Sequence, residues 1–481
     1  MKLTLIHPCI GRRAKASAKL QAAMHKRRRR GATDKGYIRT WQMEPLAPAT
    51  LAGLTPKDVE IRFYDDRMEA IPFDEATDLV ALSVETYTAR RAYQIASEYR
   101  RRGIPVVMGG FHATLQTEEV QRYAEAVVVG EAETVWGRLI EDFRAGRLQR
   151  LYKSEGRPAL SGHGPDRSIF QGKRYLPIGL VEAGRGCHFR CDFCAIQAFF
   201  KSTQTRRPTA DIVAEVRQLK AEGKRLIFFV DDNITSNLEQ AKEFFRALIP
   251  EKVKWVSQAS INAAHDEEFL RLIKASGCQG LLIGFESLDP QNLKDMNKGF
   301  NTMGGGFEAA LANLRRHGIR LYPTFIFGYD HDTPASFAAT VEFAKHHAFY
   351  IAAFNHLTPF PGTPLYKRLE AEGRLRFPQW WLDARYRYNT LPFWPKSMTP
   401  EQVQAGCVGA RASFFSVPSI LRRSLDPVNR QAGMFLPFFT INAMFRAEVS
   451  ARDGYPLGDE AWQGELLEVE SKALPAIPVL R

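Results

Sequence analysis

Cys187, Cys191 and Cys194 fall within eight residues of a glycine-flanked segment that reads Gly184-Arg-Gly-Cys-His-Phe-Arg-Cys-Asp-Phe-Cys-Ala195. Packing does not call for three thiols on one short loop. The scattered Cys9, Cys278 and Cys407 read instead as buried free thiols that behave as small hydrophobes. A structural zinc ion wants four Cys or His ligands. His188 adjoins the cluster, but no second C-x2-C half occurs elsewhere in the chain. Three thiolates suit a cubane iron–sulfur cluster with one iron left open, because full protein ligation takes four. Six cysteines in 481 residues do not make a disulfide scaffold.

The spacing C-x3-C-x2-C, with an aromatic just before the last cysteine, resembles the radical S-adenosylmethionine (SAM) superfamily. The resemblance implies that Cys187, Cys191 and Cys194 hold a [4Fe-4S] cluster whose open iron is chelated by SAM. It also implies reductive cleavage of SAM to a 5′-deoxyadenosyl radical, with Phe193 near the adenine. Around this loop, residues 178–355 alternate apolar runs with amphipathic stretches. Strands are expected at Ile178–Ala183, Leu226–Val230, Lys254–Ala259, Leu281–Phe285, Leu321–Phe327 and Tyr350–His356. Helices are expected near 209–222, 237–248, 266–276, 304–317 and 334–347, a βαβ pattern on a parallel sheet. Six such units match the partial (β/α)6 barrel of the family. The cysteine loop follows the first strand, at the rim where barrel enzymes place their chemistry. Polar residues end the following strands: Asp231-Asp232-Asn233, Ser257-Gln258 and Gly284-Phe-Glu-Ser287. The resemblance places Asp231, Asp232, Gln258 and Glu286 against SAM, although a polar residue after a strand is usually just a turn or cap.

Residues 1–150 show a second alternating set, with strands at Leu3–Pro8, Val59–Asp65, Leu79–Val84, Pro105–Gly110 and Ala126–Gly130 and helices near 88–102 and 134–145. This is a five-stranded doubly wound pattern, whose ligands bind at the strand C-terminal ends. No G-x-G-x-x-G follows the first strand, which weighs against a dinucleotide. With the cluster, this half resembles the cobalamin-binding class of radical SAM enzymes, through Gly109-Gly-Phe-His-Ala-Thr114 and Gly130-Glu-Ala-Glu133. The resemblance sets Ser83, Gly109, Gly110 and Glu131 near the cobalamin. The cobalamin signature D-x-H-x-x-G is not matched: Asp65-Asp66-Arg67-Met68-Glu69-Ala70 has no histidine. Arginine stays protonated and cannot ligate cobalt, so no imidazole is expected below the corrin.

The expected fold class is therefore α/β. A Rossmann-like cobalamin-binding domain (1–150) precedes a linker (151–175), a radical SAM barrel (176–375) and an aromatic-rich, mostly helical C-terminal region (376–481). In that last region the uncharged stretch from Gln431 to Phe445 reads as core, as an interfacial patch or as a lid over a greasy substrate. Together with the Trp380–Trp394 aromatics it suggests an apolar molecule at the barrel rim, with Phe438 the test position. The net charge of +13 permits an anionic partner without choosing one. Lys26-Arg-Arg-Arg-Arg30, beside His25, lacks the stacking aromatics or binding fold of a nucleic-acid site, so no nucleic acid is expected. No run of about 18 apolar residues occurs and the N-terminus lacks a signal peptide's apolar core, so a cytoplasmic protein is expected, with peripheral membrane contact left open. The function that the resemblance implies is methylation of an unactivated carbon through the deoxyadenosyl radical and methylcobalamin. The substrate would be a small apolar molecule: a lipid, terpenoid, tetrapyrrole or natural-product intermediate. Flavodoxin or ferredoxin would supply electrons. The alternatives are ring formation, ring contraction or other ring modification, or oxidation, all without methyl transfer, and a non-catalytic iron–sulfur or corrinoid carrier.

Overall fold

The computed structural model describes residues 1–15, 42–162, 164–431, 433–451 and 454–469. His25 and the basic run at 26–30 lie outside the described residues. The chain forms two compact units. The first is Met1–Leu176 with Gln379–Tyr388 and Tyr455–Arg481; the second is Pro177–Pro378 with Asn389–Gly454.

The first unit is built on a parallel sheet in the order Glu60–Asp65, Lys2–His7, Leu79–Ser83, Val106–Gly109, Ala126–Val129 and Leu151–Lys153. Strands such as Leu79–Ser83 and Ala126–Val129 are apolar nearly throughout, as strands covered on both faces must be. Five strands were expected and six are found. The extra one, Leu151–Lys153, is short and carries an exposed charge at its end, so its sequence has no strand-like alternation. The supposed linker after 150 is part of this unit: Phe170 packs edge-on against Phe63 and Tyr175. The supposed C-terminal domain is likewise divided between the units. Trp380, Trp381 and Tyr386 are at most 1% exposed in the core of the first.

The second unit carries a six-stranded parallel sheet in chain order: Ile178–Val181, Leu226–Phe229, Lys254–Ala259, Cys278–Glu286, Leu321–Phe327 and Ala353–His356. Between them run the helices Thr209–Ala221, Leu238–Leu248, Glu267–Ala275, Gly306–Arg316 and Pro334–His346. Asn237 and Asp266 cap two of these by accepting from the backbone N–H three residues on, and Thr333 forms a capping box. Along Leu321–Phe327 buried and half-exposed residues alternate strictly. The buried set, with Phe325 and Phe327, packs on the helices; the half-exposed set, with Tyr322, Thr324 and Ile326, faces the other side. Phe228, Val256, Gln258 and Asn355 occupy the same half-exposed or exposed phase of their strands, so the inner face of the partial barrel is open rather than packed.

The C-terminal helices Pro400–Phe414, Val417–Ser424 and Phe435–Ala451 belong to this unit. Arg423, 1% exposed, ties them to the barrel. It donates to the carbonyls of Phe349 (2.9 Å) and Phe414 (3.1 Å) and to Asn442 Oδ1 (2.9 Å). Phe438 is fully buried against Tyr350, ring centroids 5.1 Å apart. The reading of Phe438 as lining for a substrate is thereby corrected: its side of the helix is core. No helix among the described residues is long and apolar enough to cross a membrane.

Candidate active site

The first barrel strand feeds directly into the cysteine loop. Gly184–Gly186 pairs antiparallel with Gln204–Arg206, and an added Cβ at Gly186 would lie 2.1 Å from the Thr203 carbonyl oxygen, which fixes that position as glycine. The acidic pair after the second strand braces this loop. Asp231 Oδ1 accepts from Ala183 N–H and Asp232 Oδ2 from Gly186 N–H, both at 2.7 Å. Asp231 is wholly buried and its Oδ2 meets no donor among the described residues. Burial pushes its carboxyl up to about 7, against the pull of the Arg206 guanidinium. Both acids thus meet backbone at the loop's two sides, as a strand-end turn would.

Cys191 is buried; Cys187 and Cys194 are half-buried. Burial pushes the Cys191 thiol up to about 12. Nearby Lys298 pulls it down, while charge on Cys194, Glu286 and Cys187 adds to the rise. The three sulfurs therefore sense one another. Among the described residues no three His, Cys, Asp or Glu side chains converge on a single-ion point. A cubane with one thiolate per iron accommodates such a spread, and its irons would supply the positive charge that buried thiolates lack. The donor set fits a cluster. His188 is turned away to Ser236, whose Oγ lies 2.8 Å from Nδ1 and accepts from the His188 N–H at 3.0 Å.

The remaining expected contacts lie in the same unit. Phe193 is half-buried against the barrel core. The Gln258 side chain sits on the open inner face of its strand. Glu286, at the end of the fourth strand, holds a left-handed φ of 63°, costly for a residue with a Cβ and often a mark of a functional position. Its Oε1 is 2.7 Å from Lys298 Nζ, which also donates to the Gly284 carbonyl at 3.0 Å. Two polar residues near the cysteines had no assigned role. Lys298 is separated from its partner by a whole helix, so no spacing announced it. Asn233 donates to Cys187 Sγ (3.5 Å) and to Ser260 Oγ (2.6 Å). Phe189 stacks on Phe300 at 4.0 Å.

In the first unit the strand order reverses between Lys2–His7 and Leu79–Ser83, the switch point at which ligands of doubly wound sheets bind. Ser83 is half-exposed at one of these ends. At the other, His7 Nδ1 is buried without a partner among the described residues, and burial lowers the imidazole to about 4, so it stays neutral. An orphan polar atom at the switch point fits a large ligand with its own polar groups. The glycines carry less information than expected. Gly110 has φ +99°, and an added Cβ would meet Val84 O at 2.9 Å; at Gly109 it would make an ordinary 3.4 Å contact with Val128. Both are explained by the unit's own packing. Glu131 is buried and paired with Arg157. His112 is fully buried between Thr86 Oγ1 (3.3 Å) and Glu119 Oε1 (3.1 Å), and so is no cobalt ligand as it stands.

The family model for the radical SAM superfamily matches residues 181–344. The bacteriochlorophyllide d C-12(1)-methyltransferase of Chlorobaculum tepidum is 32% identical over 389 residues, 79% of this chain and 84% of that protein. The bacteriochlorophyllide d C-8(2)-methyltransferase of the same organism is 28% identical, over 72% of this chain and 79% of its own. Among solved structures, the radical SAM methyltransferase TsrM from Kitasatospora setae, with cobalamin and a [4Fe-4S] cluster bound, shares the fold. Its TM-score is 0.62 at 16% identity, over 94% of this chain and 99% of that one. With the radical SAM domain at 181–344 and a methyltransferase 32% identical over most of both chains, the protein belongs to the radical SAM methyltransferases, and it has the fold of a member that binds cobalamin.

Proposed function

We propose that this enzyme methylates an sp3 carbon on the periphery of a cyclic tetrapyrrole. Its reach over most of a bacteriochlorophyllide methyltransferase carries the reading. Cys187, Cys191 and Cys194 hold the cluster, and Asn233 steadies the Cys187 sulfur by hydrogen bonding. Asp231 and Asp232 keep the loop in place, and Asp232, half-buried where Asp231 is sealed, would be the one of the pair to meet the SAM ammonium. The Glu286–Lys298 pair and Gln258 orient the rest of SAM, with Phe193 beside the adenine. Ser83, Gly109, Gly110 and Glu131 mark the sheet ends that receive cobalamin. The bound cofactors supply a hydrogen-abstracting radical and a transferable methyl group, chemistry that no side-chain base offers at an unactivated carbon. Phe228, Val256 and Ile326 give the barrel's inner face an apolar lining, interrupted by Thr324 and Asn355, that admits an alkyl substituent and excludes water. An external one-electron donor of flavodoxin or ferredoxin type reduces the cluster, and the protein works in the cytoplasm.

The test is anaerobic reconstitution with iron, sulfide and cobalamin, followed by turnover with SAM, reductant and a panel of chlorophyllides and magnesium porphyrins. The expected outcome is 5′-deoxyadenosine, carrying the abstracted hydrogen, together with a product in which a methyl group replaces that hydrogen, a net gain of one CH2. Deoxyadenosine with a product that gains no methyl group would favour ring formation or oxidation. No deoxyadenosine with any member of the panel would remove the tetrapyrrole reading.

A further inference from the structure

The helix Val417–Ser424 has two unlike faces. Ile420, Arg423 and Ser424 are buried, and Ile420 joins Tyr350 and Phe438 in a small cluster. Val417, Leu421 and Leu425, four residues apart and therefore on one stripe, are 50%, 55% and 69% exposed. The next helix, packed on the first through the same cluster, opens with Phe435 and Leu436, the latter 76% exposed. Scattered apolar residues on a surface are ordinary; five on two packed helices are not. Arg422 and Arg430, which lie between these residues in the sequence, are exposed as well. Asp426 is the only acidic residue between Val417 and Ala447, and Arg315 neutralises it at 2.6 Å.

We infer that this face docks on an anionic lipid bilayer. Apolar side chains that enter the acyl boundary, beside arginines that meet headgroup phosphates, are the two elements of interfacial binding. A second copy of the chain is a poorer occupant, because Arg422 and Arg430 are exposed and the one nearby carboxylate in the sequence, Asp426, is already paired with Arg315, so a two-fold contact through this helix would bring two net-positive faces together. The inference does not depend on which substrate the barrel takes.

Flotation of the full-length, cluster-loaded protein with vesicles tests it, using phosphatidylcholine alone and phosphatidylcholine mixed with phosphatidylglycerol. The protein should float with the mixed vesicles, be released by high salt, and remain behind with phosphatidylcholine alone. Leu421→Asp with Leu425→Asp should weaken binding by about a hundredfold, since withdrawing each leucine from the interface costs at least about tenfold. Arg422→Ala with Arg430→Ala, which disturbs no packing, should weaken it about fivefold for each arginine and flatten the salt dependence. Three results would overturn the inference: no flotation of the wild-type protein, flotation unchanged in both double variants, or a solution dimer that the leucine pair abolishes in a protein indifferent to lipid.

Discussion

Lys298 and Glu286 are an ion pair with side chains 12% and 8% exposed, beside the sulfurs of Cys191 and Cys194. A pair so placed is more costly to break than it is beneficial to keep. Lys298→Met should destabilise the second unit by about 3 kcal/mol, and adding Glu286→Gln should restore part of that loss. Anaerobic urea denaturation of the single and double variants checks the order. Alanine at Cys187, Cys191 or Cys194 should abolish both the iron content and the charge-transfer absorbance of the reconstituted protein, whereas Cys278→Ala and Cys407→Ala retain them; a full cluster in Cys191→Ala would refute the ligand set. Asp231 makes a prediction about pH. Its folded carboxyl titrates near 7 against an ordinary 3.8, so between those values the unfolded chain has released a proton that the folded chain still holds. Raising the pH then works against folding: the contribution is fully present below about 4, declines through the window and is gone above 7. Asp231→Asn should flatten that decline, and a wild-type-like pH slope in the asparagine variant would contradict the assignment.

At the scale of elements, long strands with β-branched or aromatic alternation were legible in the sequence. Lys254–Ala259 and Leu321–Phe327 have the expected ends, and the five barrel helices differ from expectation by a residue or two. Two kinds of element were not legible. Leu151–Lys153 joins an existing sheet edge, and three residues carry no period. The aromatic span from Trp380 looked like a substrate surface because composition does not say which unit an aromatic packs into. Trp381 is core because Glu119, on a helix more than two hundred residues earlier, accepts from its indole N–H at 3.0 Å. Of the site, the cysteines were legible because ligand spacing is local; Asn233 and Lys298 were not assigned roles, because only the fold brings them to the sulfurs. The glycine pair shows the same limit from the other side. Gly110→Leu should unfold the first unit even without cobalamin, because a φ of +99° and the Val84 carbonyl at 2.9 Å leave no room for a Cβ. Circular dichroism and thermal melting of the cobalamin-free variant test this. A folded Gly110→Leu protein that had lost only cobalamin binding would return the glycine to the cofactor.

The chain as a whole is not a string of domains, since the first unit is completed by two segments that follow the barrel. Gln379–Tyr388 brings Trp380, Trp381 and Tyr386 into its core, with Trp380 4.8 Å from Tyr87. Tyr455–Arg481 brings the strand Gly458–Asp459, which pairs with Gly11–Arg12 and receives the Gln94 amide on the Asp459 carbonyl. Asp459 also lies 3.9 Å from Arg91, whose guanidinium joins Arg12 in clasping the wholly buried Asp66. A fragment ending at Leu176 would expose the cavities left by three large aromatics and lose that strand. Deleting one buried aromatic side chain typically costs about 3–5 kcal/mol, against a total stability of about 5–15 kcal/mol for a domain. The fragment 1–176 should therefore be expanded, lack near-ultraviolet dichroism and fail to bind cobalamin. A chain in which only the barrel's cysteines are replaced should still bind it, because every segment of the first unit is retained. Tryptophan fluorescence and cobalamin retention on gel filtration distinguish the two proteins. A monomeric 1–176 fragment that melts cooperatively and retains cobalamin as the full chain does would show that the late segments are dispensable additions to a sheet that folds alone.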